Sequence, residues 1–375
     1  MPKPFLRRFT KKTFIFINGF TGIMFLAGSN VQHFNIDTWW FLSLFTLLLP
    51  YLLVVLIVFI IFWWLSRPFW SILSILVLIF SLDAIKNIIP FNLPGTFQET
   101  KKPEDIRVMS WNVELFNINN YKKNPERRQQ MFDLINKYDP DIACFQEVVA
   151  GEDQEAINYL PDIINALNFK DYLYSYQVRD DFDRHHHFGI LVLSKFPIIR
   201  KQTMINNPNN YNSVFQFIDI LVDSDTFRVF NVHLQSLKFT EENLNYLEKG
   251  VLKGEKKIQE SKSILSKIRE GLIRRSAQAS FVKDEMNHSP YPVIFCGDFN
   301  DVPVSYAYEK IGKGLQNAFV QKGYGIGDTY GSLAPTLRID NIFLDKQFKI
   351  EQFTRIRKSL SDHYPIIADI KIHSD

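Results

Sequence analysis

The sequence predicts an α/β domain preceded by membrane-spanning helices, and three observations predict it. The first ninety residues hold long apolar stretches free of charge. From Asp105 onward, short apolar runs alternate with longer segments of helical spacing. Several of the short runs stop abruptly in carboxylates, amides or histidines.

The stretch Pro292–Asp301 shows that last pattern best. Val293 to Cys296 is a short run of β-branched and aromatic residues, as in a buried strand. It stops at Gly297-Asp298-Phe299-Asn300-Asp301. A buried strand that ends in a carboxylate and an amide puts polar groups at a sheet edge, where open α/β sheets place ligands. Gly, Asp and Asn also make plain turns, so the stretch gains weight from others like it.

The membrane reading comes from the N-terminus. Thr13 to Ile36 carries no Asp, Glu, Lys or Arg, although Asn18, Gly19 and Gly22 weaken the run. Trp39 to Leu65 also has none and is mostly Leu, Ile, Val and Phe. About 20 apolar residues span a bilayer. Pro68 to Ile89 is a third candidate, interrupted by Asp83 and Lys86. Expected spans are therefore 13–36, 39–65 and 68–89. Trp39, Trp40, Trp63, Trp64 and Trp70 stand at span ends, where aromatic belts form. Lys3, Arg7, Arg8, Lys11 and Lys12 precede the first span, and no Lys or Arg lies between the first two. Lys and Arg flank the cytoplasmic side. The expectation is an integral protein of the cytoplasmic membrane with its N-terminus inside. Three crossings put everything after Ile89 on the outer, periplasmic or extracellular, side. Residues 91–103 read as a linker after the anchor (1–90). At ~3.3–3.6 Å per residue an extended Pro90–Pro103 keeps the rest within roughly 50 Å of the bilayer.

Charge and cysteine exclude some classes. The 375 residues hold 43 Lys+Arg against 40 Asp+Glu. Residues 1–90 take seven of the basic and two of the acidic residues, so the remainder nets −2. That is not the composition of a generic polyanion binder. Cys144 and Cys296 lie inside apolar runs and read as buried free thiols.

Past the linker, strand candidates are 106–111, 141–145, 189–194, 215–222, 227–232, 293–296, 338–344 and 366–372. Helix candidates are 124–138, with Met131, Leu134, Ile135 and Tyr138 at helical spacing, then 155–168, and a long charged insert over 241–287. The polar residues at strand ends form a set: Asn112, Glu147, His233, Asp298, Asn300, Asp340, Asp362 and His363. Singly, each reads as a cap, a turn or a polar surface residue. Together they are what phosphoester hydrolysis with a hard metal requires. Mg²⁺ takes oxygen ligands from one or two carboxylates. A carboxylate or histidine activates water, and amide or cationic donors hold the phosphate. No Gly-rich phosphate loop and no Cys/His zinc spacing occurs.

Trp111-Asn112, Gln146-Glu147, Asn231-Val-His233-Leu, Gly297-Asp298-Phe299-Asn300, Arg338-Ile-Asp340 and Ser361-Asp362-His363 stand in the order found in the endonuclease/exonuclease/phosphatase (DNase I-like) superfamily. The chain resembles that family over about residues 104–373. The resemblance implies that residues 104–375 form a four-layer α/β sandwich, two packed β-sheets flanked by helices. It implies Glu147 as principal Mg²⁺ or Mn²⁺ ligand, helped by Asn112 and Asp362. Asp298 and Asn300 are implied to position the attacking water and the scissile phosphate. Asp340 is implied to orient His363, which binds or protonates the phosphate, and His233 to contact it from the other side. Glu114 stands where some relatives carry an additional acid. The run ending at His187 precedes a strand at a position that lines the cleft in relatives.

Substrate is where the sequence is least specific, because the family's motifs serve DNA, RNA, inositol phosphates and sphingomyelin alike. The insert from Lys238 to Lys283 carries eleven basic and six acidic residues. Mixed charge of this kind is usually a solvated helix face, yet Arg274 and Arg275 are candidates to reach a phosphate. Tethering raises the effective concentration of substrates that share the membrane surface. The expected function is therefore a membrane-anchored phosphodiesterase with a lean to phospholipid or inositol-type head groups. The expected partners are that phosphoester and the bilayer, with no protein partner evident. The alternatives are a DNA/RNA nuclease and an inactive binding module on an anchor.

Overall fold

The alternating apolar residues after Asp105 form two six-stranded sheets in the computed structural model of the chain. The structure describes residues 3–93, 95–178, 181–207, 212–237, 239, 242, 243, 246, 255–331 and 334–372. The strands are β1 (Ile106–Asn112), β2 (Ile142–Ala150), β3 (Asp171–Tyr176), β4 (His187–Ser194), β5 (Ile198–Ile205) and β6 (Val214–Val222). β7 (Asp225–His233), β8 (Val293–Asp298), β9 (Gln316–Asn317), β10 (Asp340–Leu344), β11 (Phe348–Arg355) and β12 (Ile366–Ile372) follow. One sheet runs β11-β12-β1-β2-β4-β3 and the other β5-β6-β7-β8-β10-β9.

Successive strand residues point to opposite faces, so each strand feeds two cores. Val108, Cys144 and Val192 from the first sheet meet Ile218, Val229, Ile294 and Cys296 from the second in the core between the sheets. The two cysteines are buried free thiols there, as expected, and burial pushes the Cys144 thiol up. The outer face of the first sheet packs on α6 (Glu126–Tyr138) and α7 (Leu160–Ala166). The outer face of the second packs on α8 (Glu255–Asn287) and α9 (Tyr306–Gly312). The result is the expected four-layer sandwich.

Register gathers the polar strand ends at one edge. β1 and β2 run parallel with Asn112 opposite Gln146. β7 and β8 run parallel with His233 opposite Asp298. β10 runs antiparallel to β8, so its first residue, Asp340, lies opposite the last of β8. By period two, Asn112, Gln146, Asn231, His233, Asp298 and Asp340 all continue inward-facing rows.

Several expected elements differ. The helix expected over 155–168 is only Leu160–Ala166, because residues up to Tyr159 form turns and a bridge to Gly151. β3, β5, β9 and β11 lie at or next to sheet edges and escaped the sequence reading; β5 is largely exposed and has no continuous apolar row. The helix of the basic insert is described from Glu255, and Lys238, Glu241, Lys249 and Lys253 lie outside the described residues.

The N-terminal segment is helical: α1 (Lys3–Ser29), α2 (Ile36–Trp39), α3 (Ser43–Ser66), α4 (Ser71–Phe80) and α5 (Leu82–Ile88). Among the described residues, Ile36–Ser66 is the one continuous helix long and apolar enough to cross a membrane. The stretch expected at 68–89 is long enough only as a bent pair, with 70° between Pro68–Phe80 and Leu82–Ile88. α1 stops at Ser29 rather than residue 36. The helices are joined by buried polar contacts, Ser74 Oγ donating to Asn18 Oδ1 at 2.7 Å.

Parts of the segment expected as a linker lie against the domain. Asn92 Nδ2 donates to the carbonyls of Val320 (3.0 Å) and Gly323 (2.8 Å). Gln98 N–H donates to Gln352 Oε1 at 2.9 Å. The helices dock as well. Arg338 donates to the Ile88 carbonyl at 3.3 Å, and Asn87 Nδ2 to Glu309 Oε1 at 3.1 Å. Leu49, Leu53, Ile85 and Ile88 share one apolar cluster with Val304 of the domain.

Arg107 clamps the first sheet. Its Nε and Nη2 donate to Asp369 at 2.7 and 2.8 Å, both side chains are buried, and the guanidinium also reaches the Gln98 carbonyl at 3.0 Å. Arg107→Met leaves Asp369 buried without its cation, which costs about 3–5 kcal/mol. Urea unfolding of the full chain checks this; a loss below ~1 kcal/mol, the range of a surface pair, contradicts it.

Candidate active site

Asp298 sits at the centre of the polar edge and is fully buried. Its Oδ1 accepts from the Asn300 N–H at 2.8 Å, and its Oδ2 from Asn112 Nδ2 at 3.1 Å, across the gap between the sheets. Burial raises its pKa against the lowering effect of His363, with Asp340 adding to the rise. Asn300 holds a left-handed backbone (φ 50°), which folds its amide back over the strand end.

The two histidines are driven in opposite directions. His363 Nδ1–H donates to Asp340 Oδ2 at 2.9 Å, and its Nε2 lies 3.7 Å from Asp298 Oδ2. Burial favours the neutral ring, but the charges of Asp340 and Asp298 outweigh it and hold His363 well above the usual range, as an imidazolium. Ser361 Oγ and Trp111 Nε1 fix the backbone on either side of that ring, at 3.1 and 3.0 Å. His233 is buried and pushed down to about 4, chiefly by burial, against the pull of Asp298. Its Nε2 accepts from the amides of Asn300 (3.0 Å) and Asn212 (3.3 Å), which suits a neutral ring. Environments that split two titratable groups this way separate a proton-holding from a proton-free role.

Glu147 owes its position to a bulge. Alternation along β2 sends Cys144 and Gln146 inward and would send Glu147 outward. The register shifts between Phe145 and Val148, and Glu147 takes φ 50°. A bulge of this kind re-aims a side chain, and Glu147 Oε1 comes to 3.6 Å from His233 Nε2 on the opposite sheet. Desolvation by the cleft walls pushes its carboxyl up to about 7; His363 opposes this, while Asp362 and Asp298 add to it. Glu114 lies beside the same group. Its N–H donates to Asn112 Oδ1 at 3.2 Å, its carboxylate takes Arg127 at 3.0 Å, and burial and then Asp362 raise its pKa.

This donor set fits a hard divalent cation. Glu147 and Asp362 line one cavity of about 560 Å³ with Asn300 and His363. Asp340 Oδ1 is buried with no hydrogen-bond partner. Asp298, Asp340 and His363 bring ligand atoms within 4.8 Å of one another. Several carboxylates repel one another in little water, and a cation relieves that.

Two sequence candidates fall elsewhere, and a third lines the cavity without a free cation. Arg274 pairs with Glu270 on its own helix and does not line the cavity. Arg275 lines it but is committed, with Nε 3.2 Å from Asp301 Oδ2 and Nη1 3.0 Å from the Gln235 carbonyl, so it braces the loop after β8. His187 pairs with Asp181 at 2.6 Å and stacks on Tyr176 at 3.9 Å, away from the cavity lining. Other residues were missed. Asn212 gave no signal in the sequence. Tyr330, whose ring lies 4.9 Å from that of His363, comes from a stretch without periodicity. Gln146 Nε2 donates to Asn231 Oδ1 at 2.8 Å and ties the sheets together beneath the site, so these motif residues are structural.

Two packed sheets with acids, amides and histidines at a shared edge define an α/β-sandwich hydrolase architecture. Residues 109–363 match the Endonuclease/Exonuclease/phosphatase family, and the chain belongs to it. Residues 11–88 match a family described as a domain of unknown function. No curated protein matches the chain. The fold is similar to that of an endonuclease/exonuclease/phosphatase from Bacteroides vulgatus, at 18% identity and TM-score 0.52 over 72% of this chain and 99% of that one. A conserved protein of unknown function from Enterococcus faecalis gives 17% identity and 0.51, over 72% and 100%. The human Nocturnin catalytic domain gives 17% and 0.51, over 72% and 94%.

Replacing Asp298, His363 or Glu147 by Ala is expected to lower turnover on a small phosphodiester by roughly 10²–10⁴-fold, the range for acid–base groups. Arg274→Ala is expected to stay within about twofold of wild type, since exposed pairs contribute little. Steady-state rates on purified, folded variants check both; near-normal activity in Asp298→Ala or His363→Ala contradicts the assignment.

Proposed function

We propose that this chain is a membrane-anchored, divalent-cation-dependent phosphoester hydrolase acting on phosphodiesters at the membrane surface. The observation that carries the chemistry is the line from Asp340 through His363 to Asp298, with Glu147 at its rim. Glu147, Asp362 and Asn112 are the residues to hold Mg²⁺ or Mn²⁺. When bound, the cation polarises the phosphoryl oxygen and offsets the charge that builds there.

The chain's own residues do the rest. Asp298, raised by burial and fixed by two N–H donors, accepts the proton of the attacking water. His363, kept protonated by Asp340, donates to an oxygen of the phosphate. His233, neutral and held by two amides, adds no charge where a nucleophile must approach. Asn300 ties His233 to the loop that carries Asp298. The water oxygen bonds to phosphorus as the bond to the leaving oxygen breaks, and the leaving alkoxide takes up a proton from solvent while Asp298 returns its own.

The anchor supports a membrane-surface substrate. Val31–His33, α2, the first half of α3 and the end of α5 all lie against the catalytic domain. These are the helix ends that the basic N-terminus places outside, so the packing suits an outward-facing domain. Protease added to intact spheroplasts should then digest residues 104–375; protection until the membrane is broken contradicts this orientation.

Hydrolysis of bis-p-nitrophenyl phosphate by the full chain tests the chemistry. Turnover is expected with Mg²⁺ or Mn²⁺, and its loss in EDTA. Absence of turnover with either cation points to a binding module instead. Comparison of plasmid DNA, RNA and phospholipid vesicles tests the substrate class; efficient nucleic-acid cleavage with untouched lipid makes the chain a nuclease.

A further inference from the structure

The cavity that holds Glu147, Asp362 and His363 does not end at the polar groups. Away from them its walls turn apolar. One wall is a stripe on α8, Ile264, Ile268 and Leu272, spaced four apart on one helix face. Ser43 and Leu47 of α3 form the other wall, and Phe239 lies between. At about 560 Å³ the cavity is the size of a small-molecule site, ~300–1,000 Å³. Its polar end suits a phosphate, and its other end suits hydrocarbon.

The second wall belongs to the helix long and apolar enough to cross a membrane. α3 touches the domain along its first half. Pro50 lies beside Val302 and Pro303, and Tyr51 Oη lies 3.5 Å from Thr336 Oγ1. Beyond Tyr51 about 15 residues remain, roughly 22 Å of helix at ~1.5 Å per residue. A hydrocarbon core is ~30 Å thick. If α3 crosses, the docked face of the domain sits down in the head-group layer, and the apolar groove opens where lipid chains are.

From this geometry we infer that the groove between α8 and α3 binds the hydrocarbon chain of a lipid phosphoester while His363 and Asn300 at its polar end take the phosphate. The inference rests on the phosphoester-hydrolase reading of that site and adds a determinant of specificity to it. The charge of the cavity agrees. Among its described lining residues the one Lys or Arg is Arg275, which is committed to Asp301 and Gln235. A nucleic-acid groove needs several cations free to neutralise successive phosphates. An apolar chain needs none. It needs contiguous apolar surface that is not already covered, and Ile268 is half-buried and Leu47 38% exposed.

The test uses the full-length chain at a fixed detergent concentration with Mn²⁺ and a series of p-nitrophenyl alkyl phosphodiesters, from ethyl through butyl and octyl to dodecyl. Burial of each added methylene strengthens binding by roughly two- to fourfold until the groove is filled. The expected result is a kcat/KM that climbs about a hundredfold or more along the series. Ile268→Trp and Leu47→Trp, one on each wall and neither in the core, fill the groove. Each is expected to cut its own dodecyl-to-ethyl ratio at least tenfold. A series that stays flat while the ethyl member is hydrolysed overturns this inference and leaves the hydrolase reading standing. So does a climbing series whose slope survives in both Trp variants, since the preference then comes from partition into micelles. Absence of hydrolysis of every member overturns the hydrolase reading itself.

Discussion

The buried carboxylate of Asp298 is the constraint on which the rest depends. A carboxylate with no exposed surface stands only if its oxygens are met by donors, and here each donor comes from a different part of the chain. Asn112 reaches it from the other sheet, Asn300 from the turn that follows, and His363 approaches from the loop before β12. Those partners arrive together only if β1 and β8 face each other with their ends level. The hydrogen bond from the Gln146 amide to Asn231 beneath them and the Arg107–Asp369 pair on the far side of the first sheet hold that alignment. Apolar packing between the sheets supplies the bulk of the stability; the polar contacts determine the register.

The same edge explains how the N-terminal helices and the sandwich belong together. A flexible tether would leave the cleft free to face any direction. Instead Asn92 and Gln98 hydrogen-bond to the domain, α5 is held by Arg338 and Glu309, and α3 enters the wall of the cavity that Glu147 and His363 line. Bending between α4 and α5 lets the last helix lie on the domain instead of continuing straight. The orientation of the cleft relative to the N-terminal helices is thus set by packing.

Much of the site was legible in the sequence because strand period and motif order are local. Asn112, His233 and Asp298 end apolar runs and Asp340 begins one, and inward alternation alone places them on facing surfaces. What was not legible depends on tertiary context. The β2 bulge that turns Glu147 inward leaves no mark beyond two adjacent polar residues. Arg274 and Arg275 differ by one position on a helix, and only the packing of α8 shows that one reaches Asp301 while the other pairs with Glu270. Edge strands such as β5 lack a continuous apolar row. The Pro, Gly and polar residues of 91–103 are the composition of a linker, and nothing in that composition shows which of them bond to a neighbouring surface. The apolar stripe Ile264-Ile268-Leu272 sits in a segment whose overall charge hides it.

Cation binding tests the central claim most directly, because the repulsion among Glu147, Asp362 and Asp298 has a physical purpose only if an ion answers it. Full-length protein stripped with chelator can be titrated with Mn²⁺, with bound ion read by electron paramagnetic resonance and hydrolysis of a small phosphodiester read on the same samples. The account predicts that bound Mn²⁺ and turnover rise together along one curve, and that both disappear in Glu147→Gln while the fold, read by circular dichroism, is kept. Full turnover in the stripped protein, or undiminished Mn²⁺ binding in Glu147→Gln, would contradict it.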